Sequence, residues 1–356
     1  MAYFAIMFLL SVTVAMAISK AGWVRLRVYT VLPVLIAFVI LSLNVTDDVA
    51  QDRWQYFVWY LNAGSIIHDL DARDLGFTYM LHLMPVDMTP EMFSASLTAI
   101  TFLLMTAVVA SLARRGIISW DYLPLVLLIA VCDRLYIDLS LNTTRGTIAL
   151  LIFMQGLLSG NSWLRLSLMG LAFGFHLYVA MMMSVIYVMS WMLRSWPHLV
   201  RFLVFAGIIA FCIRVVTDNV LIPWVETTDP KSLGYESESV TRGLTTFAPL
   251  TESLLAQVGV ALLVPLMMTQ WFRRMGTHEY FMEPAGDASS LRLQLATMVL
   301  VSLGLALLVY PDFVLAQRIF VLPMLILPCM VELRLLKPLV VFKLILFGVV
   351  IFGNID

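Results

Sequence analysis

The sequence predicts an all-α, polytopic membrane protein with about twelve transmembrane helices, some short or broken, and two structured loops on the outer side. The prediction follows from composition and length. Of the 356 residues, 61% are hydrophobic and only 13% are charged, and the mean hydropathy is +0.94. A soluble domain is about half apolar and a quarter charged, so this chain has too few polar residues to cover a water-facing surface. We therefore expect one integral membrane domain over residues 1–356 and no large soluble domain.

The predicted spans are apolar runs bounded by charged residues, proline or glycine. Runs near about 20 residues suit one crossing each, and shorter runs suit broken helices. In chain order the runs cover residues 2–18, 28–43, 93–113, 117–139, 146–158, 166–175, 177–193, 202–216, 254–271, 293–310, 313–331 and 339–352.

The basic residues predict how these spans are oriented. Lys20, Arg25 and Arg27 follow the first run, and no basic residue precedes it. This order predicts an anchor with an outer amino terminus rather than a cleaved signal peptide. With the first loop inside, alternating spans place most of the 22 Lys and Arg residues inside and most acidic residues outside.

The stretch from residue 166 to 193 decides whether this orientation holds for the rest of the chain. A single long helix would move Arg194 and Arg201 to the outer side and invert every later span. We therefore predict two short segments that turn near His176. Such a broken passage is stable only where protein or a water-filled cavity lines it.

Two outer segments are long enough to hold structure. Residues 47–91 combine acidic side chains with aromatic ones such as Trp54, Tyr56 and Trp59, which predicts interfacial helices with their rings at headgroup depth. Residues 217–250 are polar and rich in proline and glycine, which predicts a mobile loop or lid. We therefore expect function on the outer side.

Charge and motifs exclude several classes of function. The net charge of −1 provides no overall basic field for a nucleic acid. Cys132, Cys212 and Cys329 lie in apolar runs without metal-ligand spacing, so neither a disulfide framework nor a zinc site is expected. The chain also lacks the phosphate-binding loop of ATPases, the dinucleotide fingerprint, the HExxH helix and the GxSxG elbow. No cofactor and no metal are expected.

Most basic residues are predicted on the inner side, but three arginines are predicted on the outer side, and these are candidates for binding an anion. Arg145 opens the fifth run, where a guanidinium can grip a phosphate beside the positive end of a helix; a snorkelling anchor is the open alternative. Arg318 lies inside an outward-starting run, where a lipid-facing charge is costly and a cavity is favoured. Arg242, on the second outer loop, is a weaker phosphate candidate.

A histidine and an aspartate are candidates for proton transfer. His176 lies within an apolar run and can be either a proton acceptor or a buried hydrogen-bonded residue. Asp52 and Tyr56 are one helical turn apart and share a face. Asp52 can act as a base on a sugar hydroxyl or pair with an arginine, while a solvated acidic loop is the alternative.

The chain order of these residues resembles the Wzy/EpsG family of bacterial polysaccharide polymerases. That family has an Asp-aromatic-x-x-Tyr element, a Glu-x-Gly-Phe element, an Arg-Gln-x-x-Ala helix start, a Leu-Ala-x-x-Phe-His element and a late Arg-Ile. Over roughly residues 45 to 330, the matching segments are Asp52 to Tyr56, Asp74-Leu75-Gly76-Phe77, Arg145 to Ala149, Leu171 to His176 and Arg318-Ile319. Here Arg53 replaces the aromatic residue, Asp74 replaces Glu and Gly146 replaces Gln.

The resemblance implies a glycosyltransferase at the periplasmic face of the bacterial inner membrane. It would polymerise undecaprenyl-diphosphate-linked oligosaccharide repeats without a metal, as an O-antigen or exopolysaccharide polymerase. Its implied partners are the lipid-linked oligosaccharide, the bilayer and a chain-length regulator protein. His176, Asp52 and Arg145 would be catalytic, and Arg145, Arg318, Arg242, Tyr56 and Asp74 would bind the diphosphate or the sugars.

Two alternatives remain at this point. One is another membrane transferase, either a polysaccharide ligase or a metal-dependent polyprenyl-phosphate sugar transferase that uses the acidic pair Asp47-Asp48. The other is a transporter or flippase for the same lipid-linked sugars. A transporter needs polar residues that continue to the inner side, whereas the arginine and histidine candidates cluster towards one face.

Overall fold

The computed structural model describes residues 2–18, 31–44, 52–64, 74–132, 137, 140–141, 143–193, 196–216, 287–308, 326, 328–329 and 333–353. Within these ranges the chain forms twelve α-helices and no β-strand, which confirms that the fold is all-α. The helices are α1 (Ala2–Ile18), α2 (Val31–Asn44), α3 (Asp52–Leu61), α4 (Leu75–His82), α5 (Pro90–Arg114), α6 (Tyr122–Val131), α7 (Thr144–Leu157), α8 (Ser162–Phe175), α9 (Leu177–Met192), α10 (Trp196–Val216), α11 (Asp287–Leu308) and α12 (Leu333–Gly353).

Ten of the twelve predicted apolar runs overlap one of these helices. The run at 254–271 lies outside the described residues, as does all but a few residues of the run at 313–331. The helices α3 and α4 fall within the outer segment 47–91. The second outer segment, 217–250, lies outside the described residues.

One described helix, α5, combines the length and the apolar composition needed to cross a membrane. Four further apolar helices are shorter, covering Ala5–Val14, Val31–Asn44, Tyr122–Val131 and Leu177–Met192.

Local signals set both ends of α5. At its start the Thr89 hydroxyl accepts a hydrogen bond from the backbone N–H of Met92, 3.3 Å away, and Pro90 occupies the first helical turn. At its end Gly116 has a φ of 68°, and the N–H of Ile117 bonds to the carbonyl of Leu112 at 3.0 Å. This is a Schellman ending, in which glycine takes the left-handed conformation without strain.

This ending changes one predicted element. The sequence predicts an apolar run from residue 117, but the helix α6 begins only at Tyr122. Ile117 and Ile118 belong instead to the turn that closes α5, because a Schellman ending places an apolar residue just beyond the glycine. Their hydrophobic side chains therefore do not extend α6.

The chain divides into two compact units, one formed by Met1–Val185 with Pro328–Asp356 and the other by Ile186–Leu327. In the first unit α1 packs on α2 and α12, α2 packs on α5, and α7 packs on α5 and most extensively on α8. Fully buried phenylalanines fill its core: Phe38, Phe77, Phe93, Phe102 and Phe153. In the second unit α10 packs on α11, where a Cβ on Gly304 would lie 2.6 Å from the Phe202 ring.

The helix break predicted near His176 is confirmed. The helix α8 ends at Phe175 and α9 begins at Leu177, with His176 extended between them at φ −162° and ψ 101°. The backbone of His176 still takes part in both helices, because its N–H bonds to the carbonyl of Ala172 and its carbonyl accepts from Ala180. One residue therefore ends one helix and caps the next.

Candidate functional site

The helix α4 presents Asp74 at its amino end. The carbonyl of Asp74 accepts hydrogen bonds from the backbone N–H and the hydroxyl of Thr78, at 3.0 and 3.1 Å. Its carboxylate forms no capping bond to the helix, although aspartate is a common capping residue. The side chain is 8% exposed, so the carboxylate is buried and available to another partner.

That partner is Arg145, the second residue of α7. Its Nη1 donates to Oδ2 of Asp74 at 2.5 Å, a short charge-assisted bond. The Arg145 side chain is 32% exposed, so the guanidinium connects a buried carboxylate to the surface. The structure thus brings together two residues that the sequence predicts separately.

An aromatic cluster on α3 and α4 contacts this ion pair through Trp59. The guanidinium carbon of Arg145 lies 5.3 Å from the ring centroid of Trp59, within the range of a cation–π interaction. Edge-on contacts connect Phe77 to Trp59 and to Tyr56, with ring centroids 5.7 and 5.5 Å apart. Tyr56 therefore lies in the ring cluster that supports the arginine.

Two side-chain hydrogen bonds hold α3 in place. Nη2 of Arg53 donates to the carbonyl of Ser42 near the end of α2, at 2.6 Å, and the Tyr60 hydroxyl donates to the carbonyl of Pro85 at 2.6 Å. Asp52 opens this helix, one turn before Tyr56 and about 10 Å along the axis from Trp59. Asp52 therefore lies near one end of the aromatic face rather than beside the ion pair.

Close backbone contact joins α4 to α8. A Cβ on Gly76 would lie 3.0 Å from the carbonyl carbon of Gly174 and 3.1 Å from the ring of Phe175. Only glycine permits this approach without movement of the backbone. The contact fixes the position of Asp74, two residues before Gly76, relative to the end of α8 and His176.

His176 lies against the start of α7. A Cβ on Gly146 would lie 3.4 Å from Cδ2 and 3.9 Å from Nε2 of His176, so the glycine leaves room for the imidazole. His176 is buried at 5% exposure, and its ring lies 6.2 Å from that of Tyr178. The candidate base and the candidate phosphate-binding arginine are thus on neighbouring elements.

The amino ends of three helices meet at this point. Asp74 precedes α4, Arg145 lies in the first turn of α7, and His176 precedes α9. The bond between Asp74 and Arg145 and the packing of His176 on Gly146 bring these ends together. Each amino end carries about half a positive charge, so the location favours a negatively charged group.

Trp59 is the member of this cluster that the sequence interpretation missed. Its indole N–H is buried, and no acceptor reaches it from the part of the chain that the structure describes. The spacing of Asp52, Tyr56 and Trp59, at i, i+4 and i+7, places all three on one helical face and is the signal that identifies it.

Arg242, Arg318 and the acidic pair Asp47-Asp48 lie outside the described residues, so their predicted roles stay predictions. Across the ranges that are described, no group of three or more His, Cys, Asp or Glu side chains is arranged to hold a metal ion.

No protein-family model, curated protein or solved structure matches the chain.

Proposed function

We propose that this chain is a polytopic membrane glycosyltransferase that polymerises undecaprenyl-diphosphate-linked oligosaccharide repeats at the periplasmic face of a bacterial inner membrane. The observation that carries the proposal is the contact of Arg145 with Asp74 next to His176, at three helix amino ends. Segments that are far apart in the sequence, and that resemble the family elements in their order, adjoin one another here.

The chemistry required of such an enzyme suits this arrangement. A hydroxyl of the acceptor sugar attacks the anomeric carbon of the donor chain, and the bond from that carbon to the diphosphate oxygen breaks. The departing diphosphate takes the bonding electrons, so its negative charge increases. Arg145 and the adjacent helix ends stabilise that charge, with Arg318 and Arg242 as further phosphate contacts.

The acceptor hydroxyl must lose its proton as the new bond forms. His176 is the nearer base to Arg145, and Asp52 is the second candidate at the end of the aromatic face. An imidazole titrates near neutral pH and can accept the proton and then release it to water. Tyr56 and its neighbouring rings provide apolar faces on which sugar rings can stack.

The exposed surface of the helices supports a location in the bilayer. Large apolar side chains are exposed at helical spacing along α9, namely Tyr178, Met181, Val185, Val188 and Met192. The helix α12 exposes Phe342, Ile345 and Val349 in the same way. Soluble monomers rarely expose such continuous apolar stripes, whereas lipid covers them at no cost.

The ends of α7 and α8 support the outward orientation of the site. At the end of α7 away from Arg145, Arg115 donates a hydrogen bond to the carbonyl of Leu158, and Arg114 precedes Arg115 in sequence. Trp163 near the start of α8 and Trp120, five residues after Arg115, are both exposed. Tryptophan marks membrane interfaces and arginine marks the cytoplasmic side. The 14 residues of α7 separate this end from Arg145 by about 20 Å, so the Arg145 end faces outward.

Incubation of the purified chain with lipid-diphosphate-linked repeats, extracted from a strain that lacks this protein, tests the proposal. We expect a ladder of longer glycans on a gel, and we expect it to be lost in Arg145→Ala and His176→Ala. Arg114→Ala is the matched control, because Arg114 is an exposed arginine at the far end of α5. Normal ladders from both site variants would refute the residue assignment.

Three further readouts separate the alternatives. Loss of the ladder in EDTA would indicate a metal-dependent transferase instead. Transfer of finished chains to a different acceptor without elongation would indicate a ligase. Movement of labelled lipid-linked sugar across proteoliposomes without chain growth would indicate a transporter and would refute the polymerase.

A further inference from the structure

We infer that Asp74 and Trp59 are positioning residues, which hold the Arg145 guanidinium so that one edge of it receives a phosphate group. The family resemblance places Asp74 among residues that bind substrate, but a carboxylate and a diphosphate repel each other. The inference deepens the proposed function, on which it rests for the identity of the phosphate group.

The geometry leaves Asp74 little access to a substrate. Its side chain is 8% exposed, whereas that of Arg145 is 32% exposed. The carboxylate is therefore less accessible to a ligand than the guanidinium to which it is bonded. The burial of Asp74 therefore favours a role that it exerts through Arg145.

The two contacts fix Arg145 from different directions. Asp74 accepts a hydrogen bond from Nη1, and the Trp59 ring faces the guanidinium at 5.3 Å. A guanidinium has five N–H donors in a rigid plane, and Asp74 is its acceptor within the described ranges. Because the bond to Asp74 uses Nη1, the edge formed by Nε and Nη2 has the geometry for two parallel bonds to phosphate oxygens.

An arginine side chain loses considerable rotamer entropy when it is fixed. Asp74 and Trp59 already fix the Arg145 side chain in the free protein, so binding of the ligand causes little further loss of its rotamer entropy. A hydrogen bond to a charged group also contributes more free energy than one between neutral groups. The pair thus acts before substrate arrives, by holding the donor edge in a binding geometry.

Two variants of Asp74 separate positioning from simple charge balance. Asp74→Asn and Asp74→Leu both remove the negative charge, and both have nearly the same size as aspartate. Only asparagine retains an oxygen that can accept the bond from Nη1. If Asp74 merely balances charge, the two variants behave alike.

The probe is inorganic pyrophosphate, with binding to the purified full-length chain in detergent measured by calorimetry. We expect Asp74→Leu to bind it about tenfold more weakly than Asp74→Asn, the equivalent of one hydrogen bond to a charged group. We also expect Trp59→Leu to bind it more weakly than Trp59→Phe, which keeps an aromatic face. Arg145→Ala should abolish the differences within each pair.

Equal binding by Asp74→Asn and Asp74→Leu would overturn the inference, as would wild-type protein that binds no pyrophosphate. If Asp74→Leu does not fold, Asp74→Ala takes its place, and the Trp59 pair is an independent measurement. Pyrophosphate binding does not require chain growth. Failure of the polymerase assay with wild-type protein therefore refutes the proposed function alone, while the binding comparison still decides this inference.

Discussion

Gly146 shows how a single absent side chain can shape a site. In the Wzy/EpsG family, which the sequence resembles, glutamine follows the arginine of the corresponding element, whereas this chain has glycine. In the structure, a Cβ at this position would already lie 3.4 Å from His176 and 3.3 Å from Val179. A longer side chain here would compete with the imidazole for the same space.

We expect Gly146→Ala to impair activity without unfolding the protein. The added methyl group must displace the His176 ring or Val179 by a few tenths of an ångström. Alanine favours a helix over glycine by about 1 kcal/mol, which offsets the crowding in the free energy of unfolding. The measurements are chain growth and thermal unfolding of the same preparation.

Gly170→Ala is the matched control, because a Cβ there meets no atom within 4 Å. It should be as active as wild type and slightly more stable. Equal activity of the two variants would show that Gly146 does not position His176.

At the scale of elements, the site depends on how closely α4 approaches α8. Gly76 and Gly174 face each other across this contact, but their surroundings differ. The Cβ of an alanine at Gly76 would lie 3.0 Å from a backbone carbon, whereas one at Gly174 would lie 3.6 Å from its nearest neighbour. The contact is therefore tight on one side only.

Gly76→Ala should lower the free energy of unfolding by about 1–3 kcal/mol, because overpacking forces two backbones apart. It should also reduce activity, since Asp74 moves with α4. Gly174→Ala, at ordinary contact distance, should be tolerated in both respects. Denaturant titration of both variants in the same detergent tests this, and equal destabilisation would contradict it.

Two arginines hold the opposite end of the α7–α8 pair. Nε of Arg115 donates to the carbonyl of Leu158, and Nη2 of Arg165 donates to the carbonyl of Ser159, both at 3.0 Å. Carbonyls at the end of a helix lack partners within it, and a positive charge there also interacts favourably with the helix dipole. Both arginines therefore stabilise the end of α7.

Arg115→Ala should reduce the free energy of unfolding by about 1–2 kcal/mol, through loss of this charged hydrogen bond. Arg114→Ala removes an equal charge from an exposed neighbour and should have little effect. A shift in the unfolding midpoint that is the same for both variants would indicate a general charge effect rather than capping.

These examples also show how far sequence reasoning extends. The break at His176 was predictable because charge placement on either side required it. Arg145 was identified by its residue type and position, and Asp74 by the family resemblance. Their bond, the support from Trp59 and the capping role of Arg115 depend on contacts between distant segments, which local patterns do not encode. The start of α6 was predicted too early, because apolar residues such as Ile117 and Ile118 suit the first turn of a helix as well as the turn that ends the preceding helix.

At the scale of the whole molecule, cysteine labelling tests the proposed orientation of the chain in a membrane. The 25 residues of α5 extend about 37 Å, enough to cross a bilayer. Val86 precedes this helix and Ser119 follows it, and both are exposed. They therefore report the two sides of one predicted span.

In a variant without native cysteines, we expect Val86→Cys to react with a membrane-impermeant maleimide added outside spheroplasts. Ser119→Cys should react only after the membrane is opened. Both should react fully in detergent, which serves as the control for access. Labelling of both positions from outside would refute the predicted topology of α5.

The bond between Asp74 and Arg145 joins residues 71 positions apart, which has a consequence for how the molecule is made. Asp74 leaves the ribosome before α5, α6 and α7, so its carboxylate is synthesised well before the arginine that pairs with it. Closing so long a loop is slow compared with forming each helix. We expect nascent chains that end before α7 to expose Asp74 to carboxyl reagents, and longer chains to protect it. Protection of that carboxylate would show when the contact between α4 and α7 forms.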